Sequence, residues 1–201
     1  SSGTGPDGDQ FDLLNTSLRS TKADFIDEHY YRPANWFLKN AGRYDAYPRN
    51  ESKVFVGEYA VHADSKVIGA KRNNWESALA AAALMTGLER NADVVQMASY
   101  APLFAHVDAW QWAPDMIWVD NLNVFGTPDY YVQKLFSTNK GTDVVSITAD
   151  EKNLIGQDGL YASAVTDNNS KELIIKIANT ANKICNKSSF FFIVLILTFK
   201  N

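Results

Sequence analysis

The chain has 201 residues, 46% of them hydrophobic and 21% charged, and a formal net charge of -4. This composition excludes wholesale disorder and allows a sizeable core, and the acidic balance with scattered Lys and Arg excludes a nucleic-acid or anionic-membrane footprint. A lone cysteine, Cys185, excludes an internal disulfide and a cysteine-rich zinc site.

The opening SSGTGPDGDQ is a Gly/Pro/Asp-rich loop without initiator Met or signal peptide, read as the middle of a longer chain. FDLLNTSLRST then sets Phe11, Leu13, Leu14 and Leu18 at the spacing of one helix face. In ADFIDEHYY, Phe25, Asp27, His29 and Tyr31 share one face of a strand. NWFLKNAGRYDAY, with Trp36, Phe37, Tyr44 and Tyr47, predicts a helix running until Pro48. KVFVGEYAV, residues 53–61, predicts a strand whose apolar run of Val54, Phe55 and Val56 ends on a carboxylate, Glu58.

WESALAAAALMTGLER, residues 75–90, is the strongest helix signal, and its apolar majority predicts burial on most sides. VVQMASYAPLFA, residues 94–105, returns to strand character and stops at Pro102. TPDYYVQKLFSTNKG begins a helix with a Thr127 N-cap and Pro128 in the first turn, and closes on Gly141. The alternation predicts βα units on a parallel sheet, with the second and third strands covered on both faces.

Past Asp143 the pattern changes. VVSITAD, LYASAVTD and ELIIKIANTA are alternating or β-branched runs separated by DG and DNNSK turns, predicting an antiparallel β domain after a boundary near residues 141–150. The final FFFIVLILTFKN holds an apolar run, Phe190 to Leu197, well short of the roughly 20 residues a spanning helix needs. It reads as an abnormal terminus from translation past an exon boundary, with a β-strand of a truncated domain as the alternative; exposed, it would favour aggregation.

An ionised carboxylate is costly to bury unless paired, so Glu58 is either solvated at a strand end or held for chemistry. In (β/α)8 barrels the active site lies at the C-terminal ends of the strands. Here those ends carry His29 and Tyr31, Glu58, and Tyr100, a polar and aromatic mouth suited to a sugar. Asp27-Glu28-His29 does not make a metal site, because adjacent strand residues face opposite ways and His62 and His106 have no ligand spacing; neither metal nor cofactor is predicted. Trp110, Trp112 and Trp118 either pack a loop or line the pocket mouth. N-x-S/T sequons at Asn15, Asn50, Asn168 and Asn186 are compatible with a glycosylated secreted protein.

DEHYY, KVFVGEYAV, AAALMTGLERNADVV, MASYAPLFAHVD and GTPDYYVQKLFS, in this order, resemble the plant branch of glycoside hydrolase family 51, the α-L-arabinofuranosidases; the similarity runs from about residue 11 to about residue 183. The resemblance implies an α/β fold: residues 1–142 as the sixth to eighth strands of a (β/α)8 barrel, 143–183 as part of an antiparallel β-sandwich, and 184–201 as an apolar tail. It implies a retaining hydrolase that releases terminal arabinofuranosyl residues from cell-wall arabinan or arabinoxylan, in the extracellular space or cell wall, with no nucleic-acid or membrane partner. Glu58 matches the catalytic nucleophile, and His29 and Tyr31 match substrate-site positions, the Tyr31 hydroxyl orienting Glu58. A Gln near the end of the eighth strand in some relatives has no counterpart in SYAPLF. The acid/base glutamate follows an Asn on the fourth strand, upstream of Ser1; the Asn50-Glu51 pair here sits in a loop. The chain alone is therefore predicted to be inactive, and the alternative is a non-catalytic carbohydrate-binding or interaction product.

Overall fold

The computed structural model describes residues 5–62, 69–181 and 194–200, so Cys185, the Asn186 sequon and the start of the terminal apolar run lie outside the described residues. The first half is built on a parallel three-stranded sheet in the order β1 (Phe25–Pro33), β2 (Lys53–His62), β3 (Val95–Tyr100). Helix α1 (Asp9–Ser20) precedes it, with Asp9 and Asp12 in its first turn and Arg19 in its last, each matched to the helix dipole.

The helix predicted to run to Pro48 is broken. Helix α2 covers Ala34–Lys39, and a 3-10 turn follows at Arg43–Ala46. Asn40 turns its amide back onto the Trp36 carbonyl (2.8 Å), and the backbone at Ala41 lies so close to helix α3 (Trp75–Arg90) that a Cβ on Gly87 would stand 1.9 Å from the Ala41 oxygen. Only glycine permits that crossing. Helix α3 starts at Asn74, whose side chain accepts the Ser77 N–H (3.0 Å), and its residues from Ser77 to Leu84 are all buried. Its lack of a polar stripe follows from its neighbours, which are β2, α2, α4 (Pro128–Thr138) and the second large sheet.

The third predicted strand is shorter than its apolar run. β3 stops at Tyr100, and Phe104–His106 forms β4 in a separate sheet with β5 (Ile117–Val119) and β6 (Val124–Gly126). Nor is β3 covered on both faces: Gln96, Met97, Ala98 and Ser99 are exposed, because β3 is an edge strand among the described residues. Helix α4 begins as predicted on Thr127, whose hydroxyl accepts the Tyr130 N–H, and ends before Gly141, with Asn139 capping the Leu135 carbonyl (2.8 Å).

Where α3 and α4 begin side by side, Asp129 is fully buried. Its Oδ2 accepts from the Ser77 hydroxyl (2.8 Å) and the Asn73 amide (3.2 Å), and Asn73 also donates to the Tyr100 hydroxyl (2.6 Å). Burial pushes the Asp129 carboxyl up to about 6, against these lowering hydrogen bonds. With the folded value above the unfolded one, the folded state binds the extra proton. Stability therefore falls as pH rises between about 4 and 6, by on the order of 3 kcal/mol. In thermal melts across that window Asp129→Asn is expected to lose less stability with rising pH than the parent does; parallel slopes would refute the assignment.

The second large sheet is antiparallel, in the order β12 (Val194–Lys200), β11 (Glu172–Asn179), β10 (Leu160–Asp167), β7 (Asp143–Val145); a two-residue pair, β8 (Thr148–Ala149) and β9 (Lys152–Asn153), stands apart. The β10–β11 hairpin turns through Asp167, whose carboxylate accepts the Asn169 and Ser170 N–H groups. This sheet packs on α3 through a buried charge: Lys176, 0% exposed, pairs with Glu89, which also accepts from the Ser163 hydroxyl, and its Nζ lies 5.3 Å from the Phe136 ring centre. Glu89→Ala strands that ammonium and is expected to cost about 3–5 kcal/mol in urea unfolding. Glu89→Leu combined with Lys176→Met should recover most of the loss; if the double variant is no better than the single, the cost lies elsewhere. The overall architecture is thus mixed α/β, with a parallel sheet and a separate antiparallel sheet joined across α3.

Candidate active site

On β1 the alternation read from the sequence is present. Ile26, Glu28 and Tyr30 are buried, whereas Asp27, His29 and Tyr31 sit on the opposite, partly exposed face. The strand predicted to end on Glu58 does not end there: β2 continues to His62, and Tyr59, Ala60 and Val61 are buried. Strict alternation would send Glu58 to the same side as Val54 and Val56, into the core. It escapes because β2 bulges. Between Asp27/Phe55 and His29/Glu58 the β1 ladder advances two residues on one strand and three on the other, and the β3 ladder slips likewise between Val56/Ala98 and Tyr59/Tyr100. One extra residue at Gly57–Glu58 thus resets the phase, turning Glu58 outward and Tyr59 back inward.

Glu58 consequently pairs with His29 in the ladder and meets the whole outward face of β1. The Tyr31 hydroxyl donates to Glu58 Oε2 at 2.8 Å, and His29 Nδ1 lies 3.5 Å from the same oxygen. Behind them, Asp27 Oδ2 accepts from His29 Nε2 (2.9 Å) and Asp27 Oδ1 accepts the Gly57 N–H (3.1 Å). The Glu58 side chain keeps 44% of its surface exposed, so it is held on one side and open on the other. Burial first, then the hydrogen bond to Glu58 and the charge of that carboxylate, push the Tyr31 phenol far up, so it remains a donor. Tyr31 also leans against His62, ring centres 5.6 Å apart, whose imidazole is pushed down by burial and by the Arg72 and Arg32 charges.

The three candidate residues His29, Tyr31 and Glu58 are therefore brought together. Tyr100 is not among them: it pairs with Tyr59 across the ladder, turns inward with it (ring centres 5.7 Å) and bonds Asn73. Trp118 is buried, edge-on to Trp110 at 6.2 Å, while Trp112 is 68% exposed. A 930 Å³ cavity lies at the other, N-terminal end of the strands, between Phe25, Lys53 and Gln96, and does not reach Glu58. Asn50 and Asn168 are exposed; Asn15 is half-buried, accepting from Arg19 (2.7 Å). Among the described residues no group of three or more His, Cys, Asp or Glu is arranged to hold a metal ion, and no helix is long and apolar enough to cross a membrane.

Sequence reasoning missed two parts of this site. The sequence reading takes Asp27 as a face-mate of His29 and as part of a rejected metal triplet, though Asp-x-His on a strand is a usable signal for a carboxylate that orients an imidazole. Gly57 is the second, since a glycine inside a strand marks a bulge or a close approach.

Residues 57–188 match the family described as the alpha-L-arabinofuranosidase C-terminal domain. The chain is 48% identical over 146 residues to an extracellular exo-alpha-L-arabinofuranosidase of Streptomyces chartreusis, covering 72% of this chain and 17% of that one. It is 37% identical over 166 residues to alpha-L-arabinofuranosidase 2 of Arabidopsis thaliana, covering 82% and 23%. Among solved structures, an arabinose-bound family 51 α-L-arabinofuranosidase superposes with a TM-score of 0.68 at 36% identity, over 78% of this chain and 26% of that one. A Thermotoga maritima α-L-arabinofuranosidase at 16% identity shares the fold, with a TM-score of 0.62. The chain spans 17% and 23% of the length of the two curated relatives described. With the family match covering more than half of the chain, this protein belongs to the C-terminal domain family of the glycoside hydrolase family 51 α-L-arabinofuranosidases.

Proposed function

We propose that this chain forms the nucleophile-bearing part of a retaining α-L-arabinofuranosidase. In this reading residues 1–142 are the sixth to eighth strands of a (β/α)8 barrel, 143–183 are part of a β-sandwich, and 184–201 are an apolar tail. Glu58 attacks the anomeric carbon of a terminal arabinofuranosyl residue. The glycosidic C–O bond breaks, a second carboxyl roughly 5 Å away protonates the departing oxygen, and water, deprotonated by that same group, then cleaves the glycosyl ester. Tyr31 orients Glu58, and His29 lies where it would contact the sugar. The observation that carries the reading is Glu58 itself, turned out of a buried strand by a bulge and fixed by the Tyr31 hydroxyl at 2.8 Å. The substrate would be an arabinose-containing polysaccharide or oligosaccharide, and the setting extracellular, as for the Streptomyces relative.

The test is covalent trapping. A full-length parent protein, incubated with a fluorinated aryl arabinofuranoside that slows deglycosylation, should gain one glycosyl mass, and the peptide containing Glu58 should carry it. A label on any other carboxylate sinks the assignment.

The second reading, sugar binding without turnover by residues 1–201 alone, has its own support. Among the described residues the carboxylate that joins the Glu58 cluster is Asp27, and both its oxygens are engaged, by Gly57 and His29. It is thus poorly placed to donate a proton to a leaving group. Assaying the 201-residue chain on an aryl arabinofuranoside, with arabinose titration alongside, separates the two: binding without hydrolysis supports the second reading, and turnover refutes it.

A further inference from the structure

We propose that Asp27 is a positioning residue for this site: it clamps the β2 bulge that delivers Glu58 and sets the ring of His29. The inference rests on the reading of Glu58 as nucleophile. It is carried by four observations that converge on one carboxylate.

The bulge sits opposite Asp27 in the ladder. The β1–β2 register slips between Asp27 and His29, so the extra residue of β2 is accommodated directly beside the Asp27 side chain. At that point the Gly57 N–H is bonded by Asp27 Oδ1 at 3.1 Å, and the Gly57 carbonyl takes the Ser99 hydroxyl from β3. A bulge disrupts the regular ladder and leaves its extra residue to find other partners. Here both backbone groups of Gly57 find them in side chains, one on each neighbouring strand.

The approach is also sterically exclusive. A Cβ on residue 57 would stand 2.2 Å from Asp27 Oδ1 and 3.0 Å from its Cγ. A methyl group at residue 57 therefore has to push the Asp27 carboxylate out of its present position, and the two residues form one device. The remaining oxygen, Oδ2, accepts from His29 Nε2 at 2.9 Å, which fixes the ring plane and aims Nδ1 at Glu58 Oε2, 3.5 Å away. One carboxylate thus governs both the backbone that presents Glu58 and the imidazole beside it. A carboxylate behind a functional histidine acts in the same way at metal sites, where its loss typically costs about 10- to 100-fold in function.

The experiment uses four variants of the full-length parent protein: Asp27→Ala, Gly57→Ala, the double Asp27→Ala/Gly57→Ala, and Asp27→Asn. Each is read by kcat and KM on an aryl arabinofuranoside and by thermal melting. Asp27→Ala and Gly57→Ala are each expected to lower kcat about 10- to 100-fold with KM changed less than about threefold. The double variant is expected to be no slower than Asp27→Ala alone, because removing the carboxylate removes the clash that the new methyl group meets. Asp27→Asn preserves size and can still accept from the Gly57 N–H while presenting the wrong partner to His29; should Asp27→Ala fail to fold, a kcat loss in Asp27→Asn at an unchanged melting temperature supports the proposal by itself. A folded Asp27→Ala or Asp27→Asn protein with kcat within twofold of the parent overturns it. So do losses in the two single variants that multiply in the double. If Asp27→Ala keeps parental kcat while Glu58→Ala is inactive, the clamp falls and the nucleophile stands. If Glu58→Ala retains activity, the reading of the site falls first.

Discussion

Glu58→Ala in the full-length parent protein is expected to lower hydrolysis of an aryl arabinofuranoside by at least about 10⁴-fold, with little change in the melting temperature. The fold should survive because Glu58 is 44% exposed and supports no other element; its removal leaves the Tyr31 hydroxyl without its acceptor in a half-buried setting, a modest loss. Chemistry should not survive if Glu58 is the nucleophile proposed above, because its carboxylate is then the group that forms the bond to the anomeric carbon. The opening left by the carboxylate gives the experiment its specificity. Azide fits where the carboxylate stood, and the open side of the site lets it enter. With an activated phenol as leaving group, azide attack forms a C–N bond as the C–O bond breaks, and a glycosyl azide accumulates. Its anomeric configuration should be inverted relative to the substrate, since one displacement replaces two. An unimpaired Glu58→Ala enzyme, or an azide product of retained configuration, would remove Glu58 from the nucleophile's role.

How much of this was legible in the sequence depends on the range of the interaction. The faces of β1 were readable because a two-residue period is local: Asp27, His29 and Tyr31 fall outward, and Ile26, Glu28 and Tyr30 inward. Helix α3 was readable residue for residue, its Ala/Leu content carrying both propensity and burial. The outward turn of Glu58 was anticipated for the wrong reason. The strand does not end there; a bulge resets its phase, and a bulge is fixed by two neighbouring strands that lie far away in the chain. The same shift explains Tyr100, which follows Tyr59 into the core. The split of the helix after Lys39 is likewise non-local, since Gly87 of α3 sets how closely Ala41 must approach. Coverage of β3 failed because an apolar run reports that a strand can be buried, not that a neighbour is present to bury it.

A structural effect as large as that at Glu89 is expected at Glu28, which the sequence offers only as the middle of a rejected metal triplet. Glu28, between Asp27 and His29, is fully buried, and the Tyr30, Tyr44 and Tyr47 hydroxyls all donate to it, the last two at 2.9 and 3.1 Å. Arg43 Nε approaches at 3.4 Å, and the Arg43 guanidinium lies over the rings of Phe11, Tyr30 and Trp36 at 5.0, 5.3 and 6.0 Å. Burial, followed by the Glu28 charge, pushes the Tyr30 and Tyr47 phenols well up, so they are held as donors. Glu28 thus ties β1 to the turn after α2, and through Arg43 the cluster reaches α1 and α2. Glu28→Ala leaves the partly buried Arg43 guanidinium without its carboxylate and removes the shared acceptor of three phenols, of which Tyr30 and Tyr44 can still bond each other; the loss is about 3–5 kcal/mol, a large share of the roughly 5–15 kcal/mol that a domain possesses. Glu28→Gln keeps the shape and part of the bonding and should cost about 1–3 kcal/mol. Urea unfolding checks both, and a Glu28→Ala midpoint equal to the parent's would show that the cage contributes nothing. The activity readout separates this residue from its neighbour. Glu28 lies on the buried face of β1, opposite the proposed site residues His29 and Tyr31, so its variants should lose activity only as they lose folded protein, with kcat per folded molecule preserved. Asp27, one residue earlier and on the other face, should lose kcat while the fold holds. Two adjacent carboxylates on one strand then divide stability from positioning, and the period of the strand is what divides them.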